Sequence, residues 1–181
     1  VFDGTKLDGY TEYDEPAPLS IYGISKLAGE HAVHAAYAYA LIVRTAWVFG
    51  ENGANFPTKI LDLAERMPVL KVVTDEIGSP TYTIDLAEGI VSLVDAQAHG
   101  LYHLAGAGSC SRFELAEALL ELVGLDTTIE PVLATEFPTR AARPANSVLD
   151  CSKAAALGVT MPPWRDALAR FIGARAGQAE G

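Results

Sequence analysis

Short apolar segments alternate with longer amphipathic segments along the chain, and this pattern predicts an α/β protein. Helices are predicted where apolar residues recur at helical spacing, from Ile21 to about Ala38 and over residues 55–66, 85–97, 111–123 and 164–174. Strands are predicted in the apolar runs at residues 41–49, 71–74, 101–104 and 129–133. The alternation of the two elements favours a parallel sheet, although residues 109–175 look more mixed.

Local signals place several boundaries. Ser111, three residues before Glu114, has the capping-box pattern that starts a helix, and Gly124 fits the end of that helix. Gly78 to Thr81 has the composition of a turn, and it either shapes a pocket wall or is a plain turn. A loop with proline and arginine is expected over residues 138–146.

The charge balance limits the classes of partner. The chain has 13 basic and 23 acidic residues and a net charge of −10, which disfavours binding to nucleic acid or to an anionic membrane surface. A small anionic ligand would need a local basic pocket. The longest apolar run, 35–43, is too short to span a membrane. Cys110 and Cys151 lack the spacing of a zinc site and are interpreted as packing residues in a reducing, cytoplasmic compartment.

Tyr22 and Lys26 are the first candidates for chemistry. They lie four positions apart on a predicted helix, so their side chains share one face. An ammonium group beside a phenol favours the phenolate, and the pair can then exchange a proton. The spacing alone also fits a solvated helix surface. His31 and His34 follow on the same helix without any metal-site pattern and are interpreted as surface residues.

The sequence around this pair resembles a known family. Residues 22–30 read YGISKLAGE and follow PAPLS, which resembles the catalytic helix of the extended short-chain dehydrogenases/reductases. The segments at 44–50, 55–56, 75–81, 100–104 and 143–147 follow in the order seen in the dTDP-4-dehydrorhamnose reductases. The resemblance extends from Val1 to about Phe171.

The resemblance implies roles for four residues. Tyr22 would donate a proton to the C4 oxygen of a keto sugar, while Lys26 would bind the nicotinamide ribose and favour the phenolate. Trp47 would contact the sugar, its ring offering an apolar wall with one N–H donor, although a core aromatic is the alternative. Arg143 would pair with the dTDP diphosphate, or it is an exposed structural arginine.

The resemblance also concerns the pocket and its ligands. Asn55 and Phe56 would line the same pocket as Trp47, although a helix cap and a core residue explain them equally well. The cofactor would be NADPH or NADH. The resemblance allows a Mg²⁺ ion and a homodimer, but no ligands for the ion can be assigned on this chain.

The expected architecture is the C-terminal part of an extended Rossmann-type short-chain dehydrogenase/reductase with a smaller, mixed α/β substrate domain. Residues 1–50 would belong to the Rossmann domain and 51–175 mainly to the sugar-nucleotide domain, with 83–105 returning to the Rossmann sheet and 176–181 forming a flexible tail. No GxGxxG loop occurs in the sequence. The chain is therefore expected to be a fragment that lacks the N-terminal dinucleotide-binding half. The carbonyl-polarising segment would lie upstream of Val1, and the fragment alone would be poorly active.

The function expected from the resemblance is NAD(P)H-dependent reduction of dTDP-4-dehydro-L-rhamnose to dTDP-L-rhamnose. Two alternatives stay open. One is a noncatalytic regulatory subunit of the same fold, similar to the methionine adenosyltransferase beta subunit. The other is a reductase of a different deoxysugar nucleotide, since fold alone does not set the substrate.

Overall fold

The computed structural model describes residues 1–137 and 141–179. The five predicted helices are present close to their predicted positions, and a short sixth helix, α5, was not predicted. The helices are α1 Ile21–Ala36, α2 Phe56–Ala64, α3 Thr83–Asp95, α4 Arg112–Val123, α5 Ser152–Ala155 and α6 Trp164–Ala179. The strands are short, and they are β1 Leu41–Arg44, β2 Val48–Phe49, β3 Val69–Val73, β4 Ile77–Gly78, β5 Thr81–Tyr82, β6 Gly100–His103, β7 Cys110–Ser111 and β8 Thr128–Val132.

The strands pair in two regions of the molecule. β1 pairs with β6 and β2 with β5, both parallel. The connection between β2 and β5 contains α2, and the one between β1 and β6 contains α2 and α3, because parallel strands need a crossover connection. β3 pairs with β8, also parallel, and a short antiparallel pair joins β4 to β7. The predicted parallel α/β arrangement is confirmed.

Two separate hydrophobic clusters hold these regions together. The smaller cluster lies around the β1–β6 pair and is built on Leu93, Tyr102 and Leu104. The larger one packs α2, α4 and α6 against β3, with Leu119 and Phe171 among its buried residues. Burial of apolar surface of this kind is the main stabilising contribution to such a fold.

The capping signals are confirmed. The Ser111 hydroxyl accepts a hydrogen bond from the Glu114 amide, and the Glu114 carboxylate accepts one from the Ser111 amide, which fixes the start of α4. Gly124 ends α4 in the left-handed conformation, with φ 67°. These contacts are local in sequence, which is why the pattern was sufficient to predict them.

Three boundaries differ from expectation. The apolar run 41–49 is not one strand, because residues 45–47 separate β1 from β2 and Trp47 has a left-handed backbone. Gly78 and Thr81 lie in strands β4 and β5 rather than in a simple turn. The last helix continues through residues 176–179 to Ala179, whereas a helix ending near residue 174 and a tail were predicted.

Residues 138–140 of the predicted loop and residues 180–181 of the predicted tail lie outside the described part of the chain. Within the described part, no helix is long and apolar enough to cross a membrane.

Candidate active site

Helix α1 presents Tyr22 and Lys26 together at its N-terminal end. The Ser20 side chain caps the helix by accepting a hydrogen bond of 3.1 Å from the Gly23 amide. Tyr22 and Lys26 are one helical turn apart, and the Lys26 ammonium nitrogen lies 5.3 Å from the centre of the Tyr22 ring. The Tyr22 side chain is exposed, with 71 % of its surface accessible. The predicted pair is therefore assembled, and its phenol is open to a ligand.

Two contacts hold α1 in place. Gly23 packs so tightly that a Cβ atom there would lie 2.8 Å from Cβ of Pro18. At the end of β1, the Arg44 guanidinium donates two hydrogen bonds to the Glu30 carboxylate, at 2.8 and 2.6 Å. Both partners of this ion pair are largely buried, and it ties the middle of α1 to the sheet.

Tyr22, Lys26 and Trp47 line one cavity of about 440 Å³, here called the catalytic-helix cavity. Its walls come from the N-terminal half of α1, the end of β1 and the segment 144–149. Tyr22 and Trp47, which are 25 positions apart in sequence, are thus brought together by the packing of α1 against β1. This cavity has the composition expected for proton transfer beside an aromatic wall.

Trp47 has an unusual backbone. Its φ is 46°, in the left-handed region that residues other than glycine rarely adopt. Such a backbone conformation costs about 1–3 kcal/mol. Its indole lies against Gly78, where an added Cβ would collide with the ring. Gly78 is therefore required by the close approach of Trp47, which gives the predicted pocket-shaping glycine a specific contact.

Asn55, Phe56 and Arg143 do not line the catalytic-helix cavity. They line a second cavity of about 840 Å³, here called the arginine cavity, between α2, β3 and the start of α4. The Asn55 side chain is the N-cap of α2, accepting from the Thr58 amide and donating to the Gly50 carbonyl. Its amide is thus used within the loop, as the capping alternative foresaw.

Arg112 connects the two cavities, and the sequence pattern gave no indication of it. Its guanidinium carbon lies 3.5 Å from the centre of the Trp47 ring and 4.9 Å from that of Phe56. Glu76 lies between Arg112 and Arg143, 3.7 Å from a nitrogen of each. Burial lowers the pKa of Arg112 to about 10, with Glu76 opposing the shift. The group nevertheless stays charged at neutral pH.

This connection could not be found from spacing because Arg112, Trp47 and Glu76 come from distant elements. The one local signal was the capping box, which places Arg112 at the first position of α4. A buried carboxylate such as Glu76, only 8 % exposed, requires a cationic partner, but sequence does not say which.

The remaining residues considered in the sequence are histidines and cysteines. His31 and His34 are exposed, as predicted. Cys110 is buried in the larger cluster, and burial raises the pKa of its thiol to about 12, so it packs as an unreactive thiol. Within residues 1–137 and 141–179, no group of three or more His, Cys, Asp or Glu side chains could hold a metal ion.

The parallel strands, the Tyr/Lys helix and the adjoining mixed α/β region define the chain as part of an extended Rossmann-type short-chain dehydrogenase/reductase. Its fold matches a crystal structure of a dTDP-4-dehydrorhamnose reductase from Clostridium acetobutylicum with a TM-score of 0.93 and 37 % identity, covering 96 % of this chain and 62 % of that one. Residues 1–176 match the RmlD substrate binding domain, and the chain belongs to that family.

Two further similarities agree with this assignment. The dTDP-4-dehydrorhamnose reductase of Mycobacterium tuberculosis is 42 % identical over 179 residues, which cover 97 % of this chain and 59 % of that protein. The structure of the Bacillus anthracis enzyme of the same name, solved in complex with NADP, has a TM-score of 0.90 and 38 % identity over 95 % of this chain and 61 % of that one. The chain thus spans about three fifths of the curated relatives it matches.

Proposed function

We propose that the protein carrying this chain reduces the C4 ketone of dTDP-4-dehydro-L-rhamnose to dTDP-L-rhamnose with a nicotinamide cofactor. The observation that carries the proposal is the meeting of Tyr22, Lys26 and Trp47 in one cavity. The names of the similar enzymes from M. tuberculosis and C. acetobutylicum support the choice of substrate.

In the proposed reaction, Tyr22 holds the proton that the C4 oxygen receives. Its exposed phenol is accessible to a substrate in the catalytic-helix cavity. The Lys26 ammonium lies 5.3 Å from the centre of the Tyr22 ring, so a positive charge stands beside the group that donates the proton. The adjacent hydroxyl and ammonium also suit the hydroxyls of a nicotinamide ribose. When bound, NADPH or NADH would supply the hydride for C4.

The charges around the arginine cavity support an anionic nucleotide as the ligand. Five described basic side chains and three acidic ones line it, in a chain whose net charge is −10. Arg143 has a half-exposed side chain and can pair with a diphosphate through its forked donors. The sugar would then extend past Trp47 into the catalytic-helix cavity, so one substrate would occupy both cavities.

The domain assignment belongs to this proposal. Residues 1–50 and 83–105 would complete the Rossmann sheet, which the β1–β6 pairing supports, and the rest of 51–175 would bind the sugar nucleotide. NADP in the B. anthracis structure supports a nicotinamide cofactor without deciding between NADPH and NADH. The Mg²⁺ ion, the homodimer, the cytoplasmic location and the weak activity of these 181 residues alone stay predictions.

The test is oxidation of NADPH and NADH by the full-length protein with dTDP-4-dehydro-L-rhamnose. Tyr22→Phe is expected to reduce kcat by a factor on the order of 10²–10⁴, because it removes the proton donor, with binding of dTDP-L-rhamnose retained. Tyr37→Phe is the matched control, since Tyr37 is an exposed tyrosine at the other end of α1. Full activity of Tyr22→Phe would refute the proposal.

The same assay separates the alternatives. A folded protein that binds cofactor but turns over no dTDP-sugar would favour the regulatory subunit. Turnover of a different 4-keto deoxysugar nucleotide, with none of the rhamnose precursor, would favour the other reductase.

A further inference from the structure

Arg112 makes its closest ring contact with Trp47. The guanidinium carbon lies 3.5 Å from the ring centre, which is van der Waals contact with the ring face. Phe56 adds a second aromatic neighbour at 4.9 Å. Trp47 therefore reaches the arginine cavity through Arg112, although its ring also lines the catalytic-helix cavity.

Arg112 is itself held by the fold. The capping box at Ser111 fixes the first turn of α4, where Arg112 is the first residue. Glu76 is 3.7 Å from Nε, too far for a hydrogen bond, and Nε is buried without a hydrogen-bond partner among the described residues. Burying a cationic group without a hydrogen bond is unfavourable unless another contact compensates. For Arg112, the face of the Trp47 indole supplies that contact.

Trp47 needs this support. Its left-handed backbone is strained, and a side chain on a strained backbone keeps its orientation only where the surroundings determine it. Gly78 limits the ring by close contact, and Arg112 adds an attractive contact with the ring face. Neither residue belongs to the segment that carries Trp47.

We propose that Arg112 is a positioning residue that orients the Trp47 indole for the sugar, and that it acts on the sugar end of the substrate rather than as a ligand of the diphosphate. The inference rests on the proposed function for the identity of the ligand. The orientation of Trp47 by Arg112 can be measured without any ligand.

The binding test compares dTDP-L-rhamnose with dTDP by calorimetry on the full-length protein. Arg112→Met removes the charge, whereas Arg112→Lys keeps the charge and loses the planar group that lies on the ring. Both variants are expected to lower the affinity for dTDP-L-rhamnose by roughly 3- to 10-fold and to change that for dTDP by less than about twofold. Equal losses for both ligands, or full rescue by lysine, would overturn the proposal in favour of a direct diphosphate contact.

The spectroscopic test uses the two tryptophans of the chain, labelled with 5-fluorotryptophan and observed by ¹⁹F NMR. Arg112→Met and Arg112→Lys are expected to shift or broaden the Trp47 resonance and to leave that of Trp164 in place. Arg165→Met is the matched control, because the exposed Arg165 lies 4.5 Å from the centre of the Trp164 ring. That control should change only the Trp164 resonance.

The two readouts distinguish the failure of this inference from the failure of the proposed function. An unchanged Trp47 resonance in a folded Arg112→Lys protein would overturn the positioning role, whatever the protein binds. If the wild-type protein bound neither ligand while the Trp47 resonance still responded to Arg112, the assigned substrate would be wrong and the positioning of Trp47 would stand.

Discussion

The ion pair between Arg44 and Glu30 is predicted to hold the catalytic helix. Among the residues of α1, only Gly23 is buried, so apolar packing contributes little to its attachment. The Arg44 and Glu30 side chains are only 9 % and 16 % exposed, and two hydrogen bonds of 2.8 and 2.6 Å join them. Glu30→Gln would keep the shape of the side chain and leave the Arg44 charge without its carboxylate.

The expected loss of stability follows from this burial. Removing one partner of a buried ion pair typically costs about 3–5 kcal/mol, because the remaining charge is uncompensated. Arg44 lines the catalytic-helix cavity, where water can approach it, so the lower end of about 3 kcal/mol applies. That corresponds to roughly a 100-fold change in the unfolding equilibrium and a fall in Tm of about 6–12 °C.

Urea and thermal unfolding of the full-length protein would measure this loss. Asp166→Asn is the comparison, because Asp166 pairs with Arg170 at 3.0 Å while 58 % exposed, and loss of such a surface contact should cost less than about 1 kcal/mol. If Glu30→Gln unfolded within about 0.5 kcal/mol of the wild type, the reasoning that this pair anchors α1 would be refuted.

Two further outcomes are expected. Gly78→Ala should displace Trp47 and weaken the binding of dTDP-L-rhamnose, measured by calorimetry, by at least roughly tenfold. Gly173→Ala is the control and should leave binding unchanged, because the space around Gly173 is open. Unchanged binding in Gly78→Ala would show that the ring tolerates the methyl group. His103 is fully buried, and its ring Nδ1 lies 2.9 Å from the Tyr10 carbonyl oxygen. Burial lowers the pKa of His103 below the ordinary 6.5. As the pH drops below about 6.5, the unfolded state therefore takes up a proton before the folded state does, and the protein becomes less stable. Below about pH 6.5, the stability of His103→Gln should depend less on pH than that of the wild type, and identical slopes would exclude His103 as the source.

The parts of the fold that sequence could predict depend on contacts between residues close along the chain. The Ser111 capping box and the glycine that ends α4 are of this kind. So is the Tyr22 and Lys26 pair, because one helical turn determines which side chains are neighbours. By contrast, the break between β1 and β2 is set by Trp47, whose left-handed backbone depends on packing against distant residues such as Gly78.

The candidate site shows the same division. Asn55 and Phe56 follow Trp47 closely in sequence, and the family resemblance implied that all three line one pocket. In three dimensions, α2 turns its N-terminus toward β3 and α4, so that Asn55 and Phe56 line the arginine cavity. Arg112 enters this cavity from an element 56 positions beyond Phe56, and no periodicity indicates such a meeting.

Under the proposed function, the two cavities would let an acidic protein bind a dianionic nucleotide at one end and a neutral sugar at the other. Five of the chain's 13 basic side chains line the arginine cavity, and Glu76 partly neutralises Arg112 and Arg143 there. A diphosphate on Arg143 would compete with Glu76 for its guanidinium, since a carboxylate and a phosphate use the same donors. If Glu76 were released from Arg143, its carboxylate would pair with Arg112 alone, and the Arg112 guanidinium also contacts the Trp47 ring. Occupation of the nucleotide end would then change the charge around the arginine that lies on the Trp47 ring.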